Sequence, residues 1–545
     1  MSETLQGNMA EIKLNTTVLV VGGGYTGLSA AGQISRAGYP VILIDAGAEL
    51  GTDNKSRSMQ GLEDEGRKRL NQLVGDVTGN SAVTALTGIT LTGAMGVPGD
   101  FTVRLGSAKG EIEKKVGAMV LATDFSVRCL NEKYQLNLSD RILSLTQMEN
   151  LIADGKGLEN KTVAFLAGFA KESNPVVMER IFRAVLDLEA FKGATPYIFV
   201  GNLKVAAEGL ERIYLKSRDQ GATYFKLNQM PAVSPDGKTL SFTDPVTRKA
   251  MELDADLIVI DEETTADQMN AELADMLKIH EGPGNFLQTD NVHRFPVKSN
   301  REGIFVIAGA RDIQTMTTAL MDVENVVLEI KGLLGDGKIL VPENKAVLDI
   351  GKCTFCITCY RCCPHGAIYW DDKNKPVISP VACQGCGICA GECPMDAIQI
   401  GDYSDAEMME KIKNGAPRSG PRIVAFCCRN SAYEAGLMAD AFSQKAPSNL
   451  QMIKVPCAGK VDLDYIMNAF VEGADGVLVM ACHAGNCKSE KGNTYAGWRV
   501  EDAHRILEEI GLQKDRLRFV TLASNMGTGF LTAVTDMERY LSEIY

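Results

Sequence analysis

No stretch of this chain reaches 18 consecutive uncharged apolar residues, so nothing in it is expected to span a membrane. The first 15 residues, MSETLQGNMAEIKLN, lack the apolar core of a secretory signal. An excess of positive charge is also missing. The formal net charge is −13, which excludes a nucleic-acid surface, because phosphate binding needs a basic stripe. There is no low-complexity tract. Cysteine is scarce over most of the length, Cys129 being the single one ahead of Cys353. The 15 cysteines are therefore not spread as a disulfide framework, and ligand-type clustering fits a reducing cytoplasm.

Where cysteine does occur, its spacing is informative. Cys353-x2-Cys356-x2-Cys359-x3-Cys363-Pro364 is repeated as Cys383-x2-Cys386-x2-Cys389-x3-Cys393-Pro394. This is the run by which bacterial-type ferredoxins hold two [4Fe-4S] clusters, the fourth cysteine of each run crossing to the other cluster. The expected sets are Cys353, Cys356, Cys359 and Cys393 for one, and Cys383, Cys386, Cys389 and Cys363 for the other. A pair of structural zinc sites would also use Cys-x2-Cys, but it gives no reason for a third cysteine followed by x3-Cys-Pro. Cys362 is a spare thiol in this reading. His365 is expected to hydrogen-bond cluster sulfur or solvent, and Tyr369-Trp370 to shield a cluster from water.

The N-terminal part alternates strands and helices, which predicts an α/β fold. Residues 16–21 (TTVLVV) form a buried-strand run ahead of Gly22-x-Gly24-x-x-Gly27 and a helical stretch. A second strand, Val41–Ile44, ends at Asp45. Strand, glycines, helix and acid together make a dinucleotide fingerprint: the glycines allow close backbone approach, the helix N-terminus receives pyrophosphate, and the acid takes a ribose hydroxyl. Residues 117–123 (GAMVLAT), ending at Thr123, resemble the returning strand of flavoprotein oxidoreductases. Residues 303–309 (GIFVIAG), with Gly309 and nearby Asp312, resemble their C-terminal flavin strand. The resemblance implies FAD. Asp124 stands where the family has glycine, and Asp312 lies three residues past Gly309 rather than beside it. An insert over about 155–285 is where two-dinucleotide flavoproteins bind NAD(P)H. Its first strand leads into a single Gly168, too few glycines for a phosphate turn, so no nicotinamide site is expected.

Four modules follow from this: a flavoprotein module over 1–345, a ferredoxin module over 346–402, a linker over 403–421 and a small α/β domain with a parallel sheet over 422–545. In the last, Cys428, Cys457, Cys482 and Cys487 fall at or just beyond strand ends, where parallel sheets gather their sites. They offer four ligands for a [2Fe-2S] cluster, while zinc and an empty docking domain stay open. Cys427 is a possible substitute ligand. His483, beside Cys482, is expected to bond cluster sulfur or solvent. Acidic runs such as Glu63-Asp64-Glu65 read as solvated faces.

Residues 16–402, including the stretch 209–218 (GLERIYLKSR), resemble heterodisulfide reductase A subunits. Residues 422–545 resemble the delta subunit of methyl-viologen-reducing hydrogenase. The fusion most resembles the B subunit of quinone-interacting membrane-bound oxidoreductases. By register with that delta subunit, Ser431 occupies the place of a family cysteine. The A subunits carry extra cysteines after the first βαβ unit and in the insert, whereas 52–66 and 174–180 have none here. The resemblance implies an electron-transfer subunit of an anaerobic complex, peripheral on the cytoplasmic side of a membrane through its partners. Those partners would be a related flavoprotein, a haem- or quinone-binding membrane subunit and a soluble sulfur-metabolism reductase. The alternative is a subunit of a soluble heterodisulfide reductase-like, bifurcating complex with hydrogenase or formate dehydrogenase. No catalytic side chain is identifiable, since such chemistry belongs to the cofactors.

Overall fold

The computed structural model describes residues 9–52, 64–342, 345–415, 420–442 and 445–544. Glu63 lies outside them, as does Pro417 of the expected linker. Three parallel sheets organise the chain. The first runs in the order Ile304–Val306, Ala118–Leu121, Val18–Val21, Val41–Asp45, Val83–Thr87. Its central strands are continuous apolar runs buried on both faces, as expected of a parallel sheet covered on both sides. Helix Tyr25–Arg36 packs against the long helix Met316–Leu334 on one face. A three-stranded antiparallel sheet, 90–116, buries Phe101, Val103 and Leu105 against the same core as Leu19 and Leu121.

The second sheet is the insert: Ile142–Ser144, Leu257–Ile260, Thr162–Ala167, Thr195–Val200, Thr223–Lys226, all parallel. It begins earlier than the expected 155. The chain crosses into it along Phe125–Cys129 and returns along Glu262–Ala266, and these two strands pair antiparallel as a hinge between the sheets. Strand Ile142–Ser144 was not anticipated because it is only three residues long.

The third sheet runs Leu450–Val455, Ile423–Cys428, Gly476–Ala481, Leu517–Thr521. Between it and the flavoprotein module sit two short helices, Thr358–Cys362 and Ile388–Gly391, packed against each other. Ile388, Ile398 and Ile400 of that segment share one hydrophobic core with Phe426, Val455, Tyr465 and Val479 of the third sheet and its helices. Val381 belongs instead to the core of the first sheet. The cysteine-rich segment is thus built into both neighbours.

The stretch read as a linker, 403–421, differs from that expectation. It carries helix Asp405–Lys413, closed at its start by a reciprocal Ser404–Glu407 capping box. Glycine and proline drew attention to its end, but the capping signal Ser-x-x-Glu ahead of them marks a helix. Asp405 accepts from Lys460 Nζ at 2.6 Å and from the Tyr465 hydroxyl. Lys460 is only 1% exposed. Replacing a buried ion by an apolar residue strands its partner and loses charge-assisted hydrogen bonds. The expected outcome for Lys460→Met is a loss of about 2–3 kcal/mol, read as an earlier urea transition of the C-terminal sheet, with the insert's transition unmoved.

Candidate functional site

The glycine turn has the geometry of a phosphate cradle. Gly22 has φ +112°, and a Cβ on it would fall 2.4 Å from the carbonyl oxygen of Ala122. A Cβ on Gly27 would fall 1.8 Å from the carbonyl oxygen of Gly22, so the helix sits directly on the turn. Gly24 is the N-cap of that helix and supplies no side-chain cap, leaving first-turn amides for an anion. Asp45 ends its strand as expected. Its Oδ2 accepts the Gly23 amide and its Oδ1 the Gly47 amide, each at 2.6 Å. The acid therefore pins the turn, and its two oxygens keep lone pairs for a further donor.

At the other end, the Thr123 hydroxyl donates to Asn270 Oδ1 at 3.0 Å, and Asn270 Nδ2 reaches Ala310 O and Asn285 O at 3.4 Å. Asn270, fully buried, had no sequence signal: it lies in a helix far along the chain. Gly309 stacks on the backbone of Asp124 and Phe125, where a Cβ would come within 2.7 Å. Asp312 is exposed and accepts the amide of its own neighbour Ile313. The buried acid at this turn is Asp322, which accepts the Ala308 amide at 3.1 Å and pairs with Arg311 at 3.0 Å. These residues fit a flavin dinucleotide: amides and glycines for the pyrophosphate at one end, and a fixed polar wall at the other.

The insert offers no matching cradle. The Gly168 amide donates to Asp261 Oδ2 at 2.8 Å, and the Phe169 amide to the Tyr134 hydroxyl. Burial raises the Asp261 carboxyl to about 6. The following helix is capped by Asn174, whose side chain accepts the Val177 amide, with Pro175 behind it. The Gly168, Phe169 and Val177 amides are thus engaged within the protein.

The two cysteine runs superimpose position by position at an offset of 30. Phe355 and Gly385 both have φ near +60°, Ile357 and Gly387 have φ +59° and +81°, and Gly366 and Asp396 are likewise left-handed. Each turn points an amide at a thiol: Phe355 to Cys353 and Gly385 to Cys383 at 3.4 Å, Ala367 to Cys363 at 3.5 Å, Ala397 to Cys393 at 3.4 Å. Amides aimed at sulfur stabilise thiolate, the form that ligates iron. The thiols gather in crossed sets. Cys359 has Cys393, Cys353 and Cys356 as its charged neighbours, whereas Cys389 has Cys386, Cys363 and Cys383. Burial pushes the thiols of Cys383, Cys386 and Cys389 upward, while Thr358 holds exposed Cys356 below its ordinary value. Cys362 lies between the sets, and its thiol bonds Cys359 O at 3.4 Å. The His365 imidazole is pushed down to about 4 by burial, and its Nε2 has no partner. Tyr369 is half-buried, and Trp370 stacks edge-on against Tyr360.

In the third sheet, Cys428 Sγ lies 3.8 Å from Cys482 Sγ. Cys457 also faces Cys428, and Cys487 faces both Cys457 and Cys482, closing a ring of four buried thiols. Hydrogen bonds from Cys457 and Cys482 hold Cys428 and Cys487 low, and the donors are raised in return. Cys427, one residue along the strand, points to the opposite face and joins the core with Phe530 and Met537. His483 bonds Thr521 Oγ1 and Met526 Sδ, not sulfur of the ring. Among the described residues, no three histidine, cysteine, aspartate or glutamate side chains close round one metal ion. Four thiolates are the donor set of a [2Fe-2S] cluster; one zinc ion would need the same four to draw closer together.

Iron analysis separates these possibilities. The ferredoxin runs predict about 8 irons, and a [2Fe-2S] site adds about 2. Cys428→Ala then loses about 2 irons and leaves the rest; zinc in the intact protein, or unchanged iron in the variant, contradicts the cluster. Gly22→Val, which drives a Cβ into the Ala122 carbonyl, is expected to lose the flavin absorbance while keeping its iron.

Comparison with known proteins agrees with this order of sites. Residues 20–69 match the NAD(P)-binding Rossmann-like domain, residues 376–399 the 4Fe-4S binding domain, and residues 423–544 the methyl-viologen-reducing hydrogenase delta subunit. The A subunit of the ferredoxin:CoB-CoM heterodisulfide reductase of Methanosarcina mazei is 23% identical over 460 residues, 80% of this chain; the chain spans 58% of that relative's length. The iron-sulfur D subunit of the vhu F420-non-reducing hydrogenase of Methanocaldococcus jannaschii is 35% identical over 124 residues, 23% of this chain and 92% of the relative. A thioredoxin reductase of Lactococcus lactis, 18% identical, covers 59% of this chain and 99% of its own at a TM-score of 0.41. Through residues 423–544 the chain belongs to the methyl-viologen-reducing hydrogenase delta subunit family, joined to a flavoprotein and ferredoxin segment similar to heterodisulfide reductase A subunits.

Proposed function

We propose that this chain is an oxidoreductase subunit that moves electrons between a flavin and iron–sulfur centres within a larger redox complex. The observation that carries this reading is the crossed gathering of eight cysteines, each run with amides aimed at its sulfurs, in a segment whose cores are shared with the flavin module and the third sheet. FAD would supply the exchange between two-electron and one-electron chemistry, and the clusters single-electron carriage. The protein's own residues hold and tune. Gly22, Gly24 and Gly27 seat a pyrophosphate, Asp45 fixes the turn, and Thr123, Asn270 and Asp322 set the wall at the far end.

The partners we assign are a related flavoprotein, a haem- or quinone-binding membrane subunit, and a sulfur-metabolism reductase of the adenylylsulfate reductase type. The complex would lie on the cytoplasmic side of the membrane and use a quinone pool. Three observations support this. The delta-like segment is fused to the flavoprotein. Cysteines are missing at 174–180, where the A subunits hold a further cluster. And no helix among the described residues is long and apolar enough to cross a membrane, so attachment would run through partners. The second reading is a heterodisulfide reductase-like complex with hydrogenase or formate dehydrogenase, and the names of the relatives, heterodisulfide reductase and hydrogenase subunits, favour it in its hydrogenase form. Salt-washing of native membranes separates the two. Recovery with a quinol-oxidising membrane subunit fits the first, and a stable complex with a hydrogenase or formate dehydrogenase establishes the second.

A further expected outcome concerns the donor. Because Asp261 and Tyr134 occupy the amides of the insert's turn, stoichiometric NADH or NADPH should leave the flavin of the isolated chain oxidised. Rapid bleaching of its visible absorbance would contradict this.

A further inference from the structure

Arg301 is 9% exposed, yet no carboxylate among the described residues pairs with it. Its Nη1 donates to Leu277 O at 2.6 Å and its Nη2 to Gly96 O at 3.2 Å, while Nε has no partner. Removing one partner of a buried pair is strongly destabilising because it leaves a charge uncompensated. A buried guanidinium facing only carbonyls therefore needs negative charge nearby, and its ionisable neighbours are Tyr360 and Cys363.

The guanidinium lies over the turn that carries Cys363. A Cβ on Gly366 would fall 2.3 Å from Arg301 Nε, so only glycine admits this approach. The same turn delivers the Ala367 amide to Cys363 Sγ. The preceding residue, Asn300, donates its Nδ2 to Pro364 O at 2.9 Å. Two consecutive residues of the flavoprotein module are thus clamped onto the crossed ligand of the buried set. The duplication supplies an internal reference: the position equivalent to Gly366 is Asp396, an exposed acid with φ +47°. The cations of the first run, Lys352 and Arg361, are exposed and screened by salt.

We propose that Arg301 is a positioning residue whose fixed charge holds the reduction potential of the cluster at Cys363, Cys383, Cys386 and Cys389 higher than burial alone would leave it. This rests on the ferredoxin reading above. The step is a one-electron transfer: the cluster is reduced, a reduced flavin or an external reductant such as dithionite is oxidised, and Arg301 exchanges neither proton nor electron. Each electron adds negative charge to the cluster. Burial opposes that addition and a nearby cation favours it.

The test is an anaerobic redox titration of the full-length, cluster-loaded protein, followed by electron paramagnetic resonance, with iron and flavin content measured on the same samples. Arg301→Met is expected to move the midpoint of one cluster to more negative potential and leave the other in place, at unchanged iron. Arg301→Lys, which keeps the charge, should restore most of the shift. Both midpoints unmoved in an iron-replete Arg301→Met protein, or both moved equally, overturns the proposal. If the methionine variant loses iron, Arg301→Gln, which keeps a hydrogen-bond donor without the charge, carries the test. One midpoint moved to more negative potential in an iron-replete Arg301→Gln protein upholds the role of the charge, and both midpoints unmoved refutes it. A wild-type protein without two low-potential cluster signals fails the ferredoxin reading itself, and this proposal with it.

Discussion

The last cysteine of each run lies among the first three cysteines of the other, and this exchange constrains the backbone around it. Neither half of the segment completes a ligand set alone, so the two short helices Thr358–Cys362 and Ile388–Gly391 must lie against each other. That contact in turn fixes the left-handed residues at 355, 357, 385 and 387. Two of these, Phe355 and Ile357, are not glycine and occupy a region costly for L-residues. Strain of this kind persists where surrounding structure over-determines the backbone. Here the demand is to aim amides at sulfur.

The two sets are similar in spacing but unlike in surroundings. The set around Cys389 is buried between the flavoprotein module and the third sheet, whereas the set around Cys359 includes exposed Cys356. Buried cations sit on the junctions. Lys460 joins the helix at 405–413 to the third sheet, and its aliphatic stem packs where a Cβ on Gly387 would fall. Arg499 donates to Gly459 O, Val461 O and Glu392, beside Cys393. In a chain of formal charge −13, each of these cations is paired with a carboxylate, Lys460 with Asp405 and Arg499 with Glu392.

Much of this was legible because ligand spacing and glycine chemistry are local. Gly22, Gly24, Gly27 and the eight ferredoxin cysteines stand out within a few residues, and the structure brings the thiols near one another in crossed sets. The four C-terminal cysteines were legible through strand ends, since a parallel sheet collects them at one edge. What escaped notice depends on distant partners. Asn270 and Asp322 carry no motif, and they matter only because the fold brings them to Thr123 and Ala308. Asp312 drew attention by nearness to Gly309 in sequence, yet it is exposed. Asp261, just past the strand Leu257–Ile260, closes the insert's turn from more than ninety residues away. The helix at 405–413 was hidden by the glycines and prolines that follow it.

The crossing of ligands between the two runs is tested most directly by counting iron in paired variants. Each [4Fe-4S] cluster holds 4 irons. If the sets cross as the structure gathers them, Cys363→Ala and Cys386→Ala each remove one cluster, and the double variant loses about 4 irons, no more than either alone. Combining Cys363→Ala with Cys356→Ala then removes about 8. The reverse pattern, with about 8 irons lost on combining Cys363→Ala and Cys386→Ala, would show that each run holds its own cluster and would contradict the arrangement on which this account rests.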